Sequence, residues 1–257
     1  MIDFTFNTYR LLLTSLQQAG YTFITFEDWQ QSSPHNSRTI ILRHDVDKRP
    51  QNSFKTALIE HELGIQASYY FRCVPCSNDP AIIRQIANLG HEIGYHYEDM
   101  SLCKGDVQKA KAHFTEWLAY FRQFYDVKTI CMHGAPTSKY DSRDLWKNYD
   151  YHDYGIIGEP YFDIDFSDFF YLTDTGRCWD GYKVSVRDKI PEHQDRWIKE
   201  GRVFHTTQDV LEKGLRTLPD HIMITTHPQR WTDNTFAWVK ELILQTLKNI
   251  VKRCYAQ

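Results

Sequence analysis

Short apolar runs alternate with amphipathic stretches along most of this 257-residue chain. The run Ile40-Ile41-Leu42, inside TIILR, reads as a buried strand. ASYYFR (67–72), EIGYH (92–96), TICMH (129–133) and IMITTH (222–227) read the same way. YTFITF (21–26) alternates with period two, as a strand should, and GIIGEPYFDI (155–164) and FFYLTD (169–174) look like further strands. Between them lie helical patterns. Thr8–Ala19 is ended by Gly20. Pro50 opens a helix that runs to Leu63 and stops at Gly64, and Pro80–Leu89 ends at Gly90. Val107–Phe124, a short Arg143–Lys147, Thr207–Leu215 and a closing amphipathic Phe236–Arg253 complete the set. Strands that alternate with helices imply a parallel sheet, either a barrel or doubly wound. No repeat, low-complexity tract or linker divides the chain, so residues 1–257 read as one domain.

Titratable residues recur where the strands stop. Asp45 and Asp47 follow IILR, His96 follows EIGY and His133 follows TICM. Asp174 follows FFYLT, and His227 follows IMITT. A single polar residue after a strand is commonly the N-cap of the next helix. Five strands ending this way point instead to a site on the C-terminal rim of a parallel sheet, where such folds build their sites. In an extended strand Asp45 and Asp47 project to one face, since side chains alternate. A bound cation would reconcile two neighbouring carboxylates, and the three rim histidines favour that reading. His44 alternates with Asp45 and faces away, packed against a helix. His91, at the far end of its strand from His96, reads as structural.

Composition adds bounds. Apolar residues make up 42%, enough for a substantial core, and the 15% of aromatics suit either that core or a sugar-facing surface. A net charge of -3 without a basic block gives no sign of nucleic-acid binding. The N-terminal apolar run is broken by Thr14, Ser15, Gln17 and Gln18, unlike a signal peptide. No segment reaches the ~18 apolar residues of a membrane span. A cytoplasmic protein is expected. The six cysteines fit reduced thiols; Cys73 and Cys76 form a C-x-x-C, but no second pair completes a zinc knuckle and no redox helix follows.

RHDVD (43–47) and GHEIGYH (90–96), with TTHPQRW (225–231) after the last strand, resemble the polysaccharide deacetylases of carbohydrate esterase family 4, the NodB-homology fold. The resemblance spans roughly residues 39–230. It implies a distorted (β/α) barrel of the polysaccharide deacetylase type with about seven parallel strands. It also implies that Asp45 is the catalytic base, Asp47 and His96 are metal ligands, and His227 is the acid. The family's second ligand histidine would fall at position 100, where this chain has Met100, and thioether suits zinc poorly. A catalytic metal usually takes about three protein ligands. His133 is the favoured replacement, in a stretch reading MHGAP, with Asp99 and Glu98 as alternatives. The expected ion is Zn2+, with Co2+ or Ni2+ as alternatives. Asp174, or else Asp180, would orient His227, while Arg43, Arg177, Trp179 and Arg230 would surround the substrate. The implied activity is metal-dependent hydrolysis of an N-acetyl group on an amino sugar that is nucleotide-linked, lipid-linked or part of a glycan. The alternatives are hydrolysis of another C–N amide bond and an inactive sugar-binding protein of the same fold.

Overall fold

The structure is a computed structural model that describes residues 2–32, 38–179, 184–185 and 187–255, with side chains of the last helix described to residue 250. Asp180 lies outside the described residues. Seven parallel strands form one curled, open sheet. They are β1 (Thr22–Ile24), β2 (Thr39–Val46), β3 (Ser68–Phe71), β4 (Glu92–Tyr97), β5 (Ile130–Met132), β6 (Phe170–Thr173) and β7 (His221–Thr226). The order is β5-β4-β3-β2-β7-β6. β2 is the hub: β1 pairs with its first half at Thr39–Ile41, β3 with its second half from Arg43, and β7 runs beside it from Thr39 to His44. Because every pairing is parallel, all strands deliver their C-terminal ends to one rim. This is the distorted barrel expected from the sequence, left open between β5 and β6.

Local chemistry explains the helices. Thr5 caps α1 (Phe6–Gln18) by accepting from the Thr8 N–H, and Thr25 caps α2 (Phe26–Gln31) through Asp28. That second cap is why YTFITF is a strand only to Ile24. α3 (Pro50–Glu62) and α4 (Pro80–Asn88) both begin on proline, whose fixed φ suits a first turn. α5 (Asp99–Leu102) and α6 (Val107–Phe121) follow β4. The Thr207–Leu215 pattern becomes a helical path to Thr217 with a π turn at Val210–Gly214, and Arg143–Lys147 falls within a 3-10 turn, Ser142–Lys147. Pro191–Lys199 is an additional helix absent from the sequence reading.

GIIGEPYFDI is not a strand. It makes one bridge, Gly158 to Thr129, and then Pro160 opens a short helix, Pro160–Asp163. The Glu159 carboxylate caps that helix and accepts the Met132 N–H at 3.0 Å. A side chain thus occupies the β5 edge that a further strand would have covered. On the helix side of the sheet, Glu60 of α3 gathers Tyr9, His44 and Tyr69, all fully buried. His91 binds the Ala67 N–H and the Ala57 carbonyl. His44 and His91 therefore serve packing on the face away from the rim.

Candidate metal centre

Rim residues from four strands converge. Asp47, one residue beyond β2, places Oδ1 3.7 Å from His96 Nε2 of β4 and 3.4 Å from His133 Nε2, just after β5. Each imidazole is held by its other nitrogen: His96 Nδ1 lies 2.9 Å from the Cys131 carbonyl, and His133 Nδ1 lies 2.9 Å from Glu98 Oε2. A carbonyl can only accept, so His96 Nδ1 carries the proton and Nε2 presents its lone pair to Asp47. Arg72 in turn holds Glu98. These are the outer hydrogen bonds that orient histidine ligands at metal sites.

Asp47 Oδ2 accepts from Gln229 at 3.0 Å, but Oδ1 is buried with no hydrogen-bond partner. A buried anionic oxygen without a donor is costly. Two imidazole nitrogens and one carboxylate oxygen, all within 4.8 Å of one another, match the donor set of zinc-type ions. The residues therefore fit a divalent cation. The cluster is reachable, since the Asp47 side chain is 23% exposed and that of His133 13%.

Electrostatics point the same way. Burial alone would raise the Asp47 carboxyl, but His133, His227 and His96 outweigh it and bring it to about 2. Burial lowers His96 to about 4, keeping the ring neutral near pH 7, as a ligand must be.

Asp45 is 3.6 Å from His96 and is clasped by Arg43 through two bonds, Nε to Oδ1 at 2.8 Å and Nη2 to Oδ2 at 2.7 Å. Burial would raise this carboxyl too, but Arg43 and then His96 pull it to about 2. Across the site, His227 places Nδ1 2.7 Å from Asp174 Oδ1, and its Nε2 faces Asp47 at 4.0 Å. Asp174 also accepts from the His227 N–H, Arg230 and Trp231 Nε1. Burial and Arg230 act to lower the His227 pKa, yet Asp174 and Asp47 outweigh them and it lies above the ordinary histidine value.

Asp99 points elsewhere, bound by Tyr95 and by His113 at 2.5 Å. Glu98 serves His133 and does not face the cluster itself. Cys131 lies near Asp45 and His96, but burial holds its thiol well above the ordinary range.

The four side chains expected around a substrate all make internal contacts. Arg43 is fully buried and committed to Asp45. Trp179 is buried, with Nε1 donating to Thr207 at 2.8 Å. Arg177 lies over the Phe4 and Trp238 rings and reaches the Arg230 carbonyl. Arg230 is buried on Asp174.

Asp188 was not foreseen. It is only partly exposed and accepts from the hydroxyls of Tyr161, Tyr171, Thr173 and Thr175. The Tyr161 hydroxyl lies 3.3 Å from Arg43 Nη2, so a continuous chain of polar contacts runs from Asp188 to Asp45. No spacing in the sequence announces it. Cys73 and Cys76 are free thiols, and burial pushes Cys73 up to about 12, which suits a packed thiol and not a redox pair.

No protein-family model matches the chain, and no curated protein does. Among the solved structures similar in chain path, three are each described as a carbohydrate esterase family 4 protein. PdaA of Bacillus subtilis, a family 4 carbohydrate esterase, has 10% identity and a TM-score of 0.44, over 93% of this chain and 84% of that one. A mutant of BA3943, described as a pseudoenzyme of the family, has 12% identity and a TM-score of 0.43, over 87% and 68%. A family 4 carbohydrate esterase from Bacillus anthracis has 14% identity and a TM-score of 0.41, over 93% and 86%.

Proposed function

We propose that this chain is a metal-dependent hydrolase that removes the N-acetyl group from an amino sugar. The observation that carries the reading is the orphaned Asp47 Oδ1 between two oriented imidazoles, with the His227–Asp174 pair facing the same point. Asp47, His96 and His133 would hold the ion. When bound, a zinc-type ion polarises a carbonyl oxygen and lowers the pKa of a water from about 15.7 toward 7.

The chain's own residues divide the proton work. Asp45 takes the proton of the attacking water, and Arg43 fixes its orientation and keeps it ionised. His227 gives a proton to the departing nitrogen, which would otherwise leave as a strongly basic amide anion. Asp174 holds the Nδ1–H of His227, so Nε2 is the atom that faces the substrate and carries the transferred proton. Arg230 and Trp231 fix Asp174 in turn.

The sugar assignment rests on the motif resemblance of RHDVD and GHEIGYH, and the metal assignment on the donor set. Zinc is proposed first, then cobalt or nickel. The test is metal content of the purified protein together with acetate release from N-acetylated sugars, free and nucleotide-linked. Stoichiometric metal with acetate release supports the deacetylase. A metallated protein inert on every N-acetyl substrate assigns hydrolysis of another C–N bond. A metal-free protein that binds sugar assigns the inactive binding module.

A further inference from the structure

The C-terminal helix, Thr235–Tyr255, is mounted with its polar side inward. Glu241 and Gln245 are buried, and Trp238 and Asn249 are half-buried. Its attachments to the body are polar. Glu241 Oε2 lies 3.6 Å from both Lys48 Nζ and Arg49 Nη1, Asn249 Nδ2 donates to the Gly176 carbonyl at 2.8 Å, and Trp238 Nε1 donates to the Asp3 carbonyl at 2.7 Å. The opposite side carries Phe236, Val239, Ile243, Leu247 and Ile250, spaced by three and four residues so that they fall on one stripe. Phe236 is 79% exposed and Ile243, Leu247 and Ile250 are 55–56% exposed. An ordinary surface helix turns this stripe to the core. An exposed contiguous stripe marks an interaction face.

Charge selects the occupant. From Thr235 to Ile250 the one carboxylate is Glu241, and it is turned inward onto Lys48 and Arg49. Lys240 borders the stripe, and Lys248 stands on the flank of the helix beside Glu241; both are exposed. A second copy would bring two lysine-bearing, carboxylate-free faces together with no opposite charge to meet them. An anionic bilayer supplies apolar depth for the stripe and negative headgroups for the lysines, whose stems can reach upward while their ammonium groups stay at the surface. None of the described helices is long and apolar enough to cross a membrane. This one would lie along the surface.

We propose that the C-terminal helix is a membrane-docking helix whose ligand is an anionic lipid surface. Lys48 and Arg49 directly follow Asp47, and Gly176 follows Asp174 by two residues. The helix is thus bolted to the two loops that leave the site, and docking would hold the site next to the bilayer.

Vesicle flotation of the full chain tests this. Vesicles of phosphatidylcholine and phosphatidylglycerol in equal parts should carry the parent protein, and vesicles of phosphatidylcholine alone should not. The variant Ile243→Glu/Leu247→Glu should remain unbound. Lys240→Gln/Lys248→Gln should bind about fivefold more weakly per lysine removed, and high salt should weaken the parent similarly. All four positions are surface-exposed, and circular dichroism checks that the fold is kept. A parent that ignores the mixed vesicles overturns the proposal. So does equal binding to both vesicle types that the lysine changes leave untouched. If light scattering instead shows a dimer that Ile243→Glu/Leu247→Glu splits, with no vesicle binding, the face belongs to a second copy.

Discussion

Asp47 Oδ1 has no donor of its own, and it is the atom a bound cation would satisfy. If His133 is the third ligand, His133→Ala should lose metal as fully as His96→Ala, while Asp99→Ala should keep it, because Asp99 is held by Tyr95 and His113. Metal content of the three purified variants checks this; the reverse ranking would move the role to Asp99. Asp45→Asn and His227→Ala should keep the metal, yet turnover should fall by roughly 100- to 10,000-fold, as for general acid–base groups. Arg43→Lys keeps a charge but not the two-pronged grip, so it too should slow turnover, by about 100-fold if Asp45 shifts by about an ångström. Several of these residues were legible in the sequence because strand ends announce themselves: an apolar run stops, and a titratable residue follows. The supports were not. Arg43 gripping Asp45, Glu98 aligning His133, and Asp188 reaching Arg43 through Tyr161 depend on where side chains turn.

Among the elements, β4 carries the tightest constraint. A Cβ on Gly94 would stand 2.3 Å from the buried Tyr70 ring and 3.0 Å from the Thr129 carbonyl. Gly94→Ala should therefore cost about 1–3 kcal/mol or more, as overpacking does, measured by denaturant unfolding; an unchanged midpoint would show that Tyr70 can yield. Glu92, at the start of β4, binds Ser68 of β3, the Glu27 N–H of α2 and Thr129 before β5. Burial raises its carboxyl to about 7 even though these donors favour the ionised form. A group with a raised folded pKa contributes stability below its unfolded value, near 4.5, and that contribution is lost as pH rises toward about 7. Stability should thus decline over this window in the parent and decline less in Glu92→Gln, whose amide can still accept from Glu27 and Ser68 and donate to Thr129. Equal slopes for the two proteins would remove Glu92 from the linkage. Strands with continuous apolar runs were readable because parallel strands are buried on both faces. GIIGEPYFDI misled because its apolar residues pack from a bridge and a short helix, with Glu159 taking the β5 edge. Pro191–Lys199 escaped notice because Trp197 is its one fully buried anchor.

For the whole molecule, the open parallel sheet brings residues as far as 180 positions apart in the chain, Asp47 and His227, to one point on its rim. A cation there would tie β2, β4 and β5 together. Metal removal should accordingly lower the melting temperature, since a ligand present at 100 times its dissociation constant adds about 2.7 kcal/mol. Scanning calorimetry before and after chelation reads the shift, and no shift in a protein that had held stoichiometric metal would mean the ion bridges nothing. Whether Asp47, His96 and His133 hold an ion is decided by measuring bound zinc, cobalt and nickel in the purified parent and in His96→Ala. The parent should carry one divalent ion per chain and the variant none. A parent free of metal after incubation with these ions, or a fully loaded His96→Ala protein, would show that these residues hold no ion.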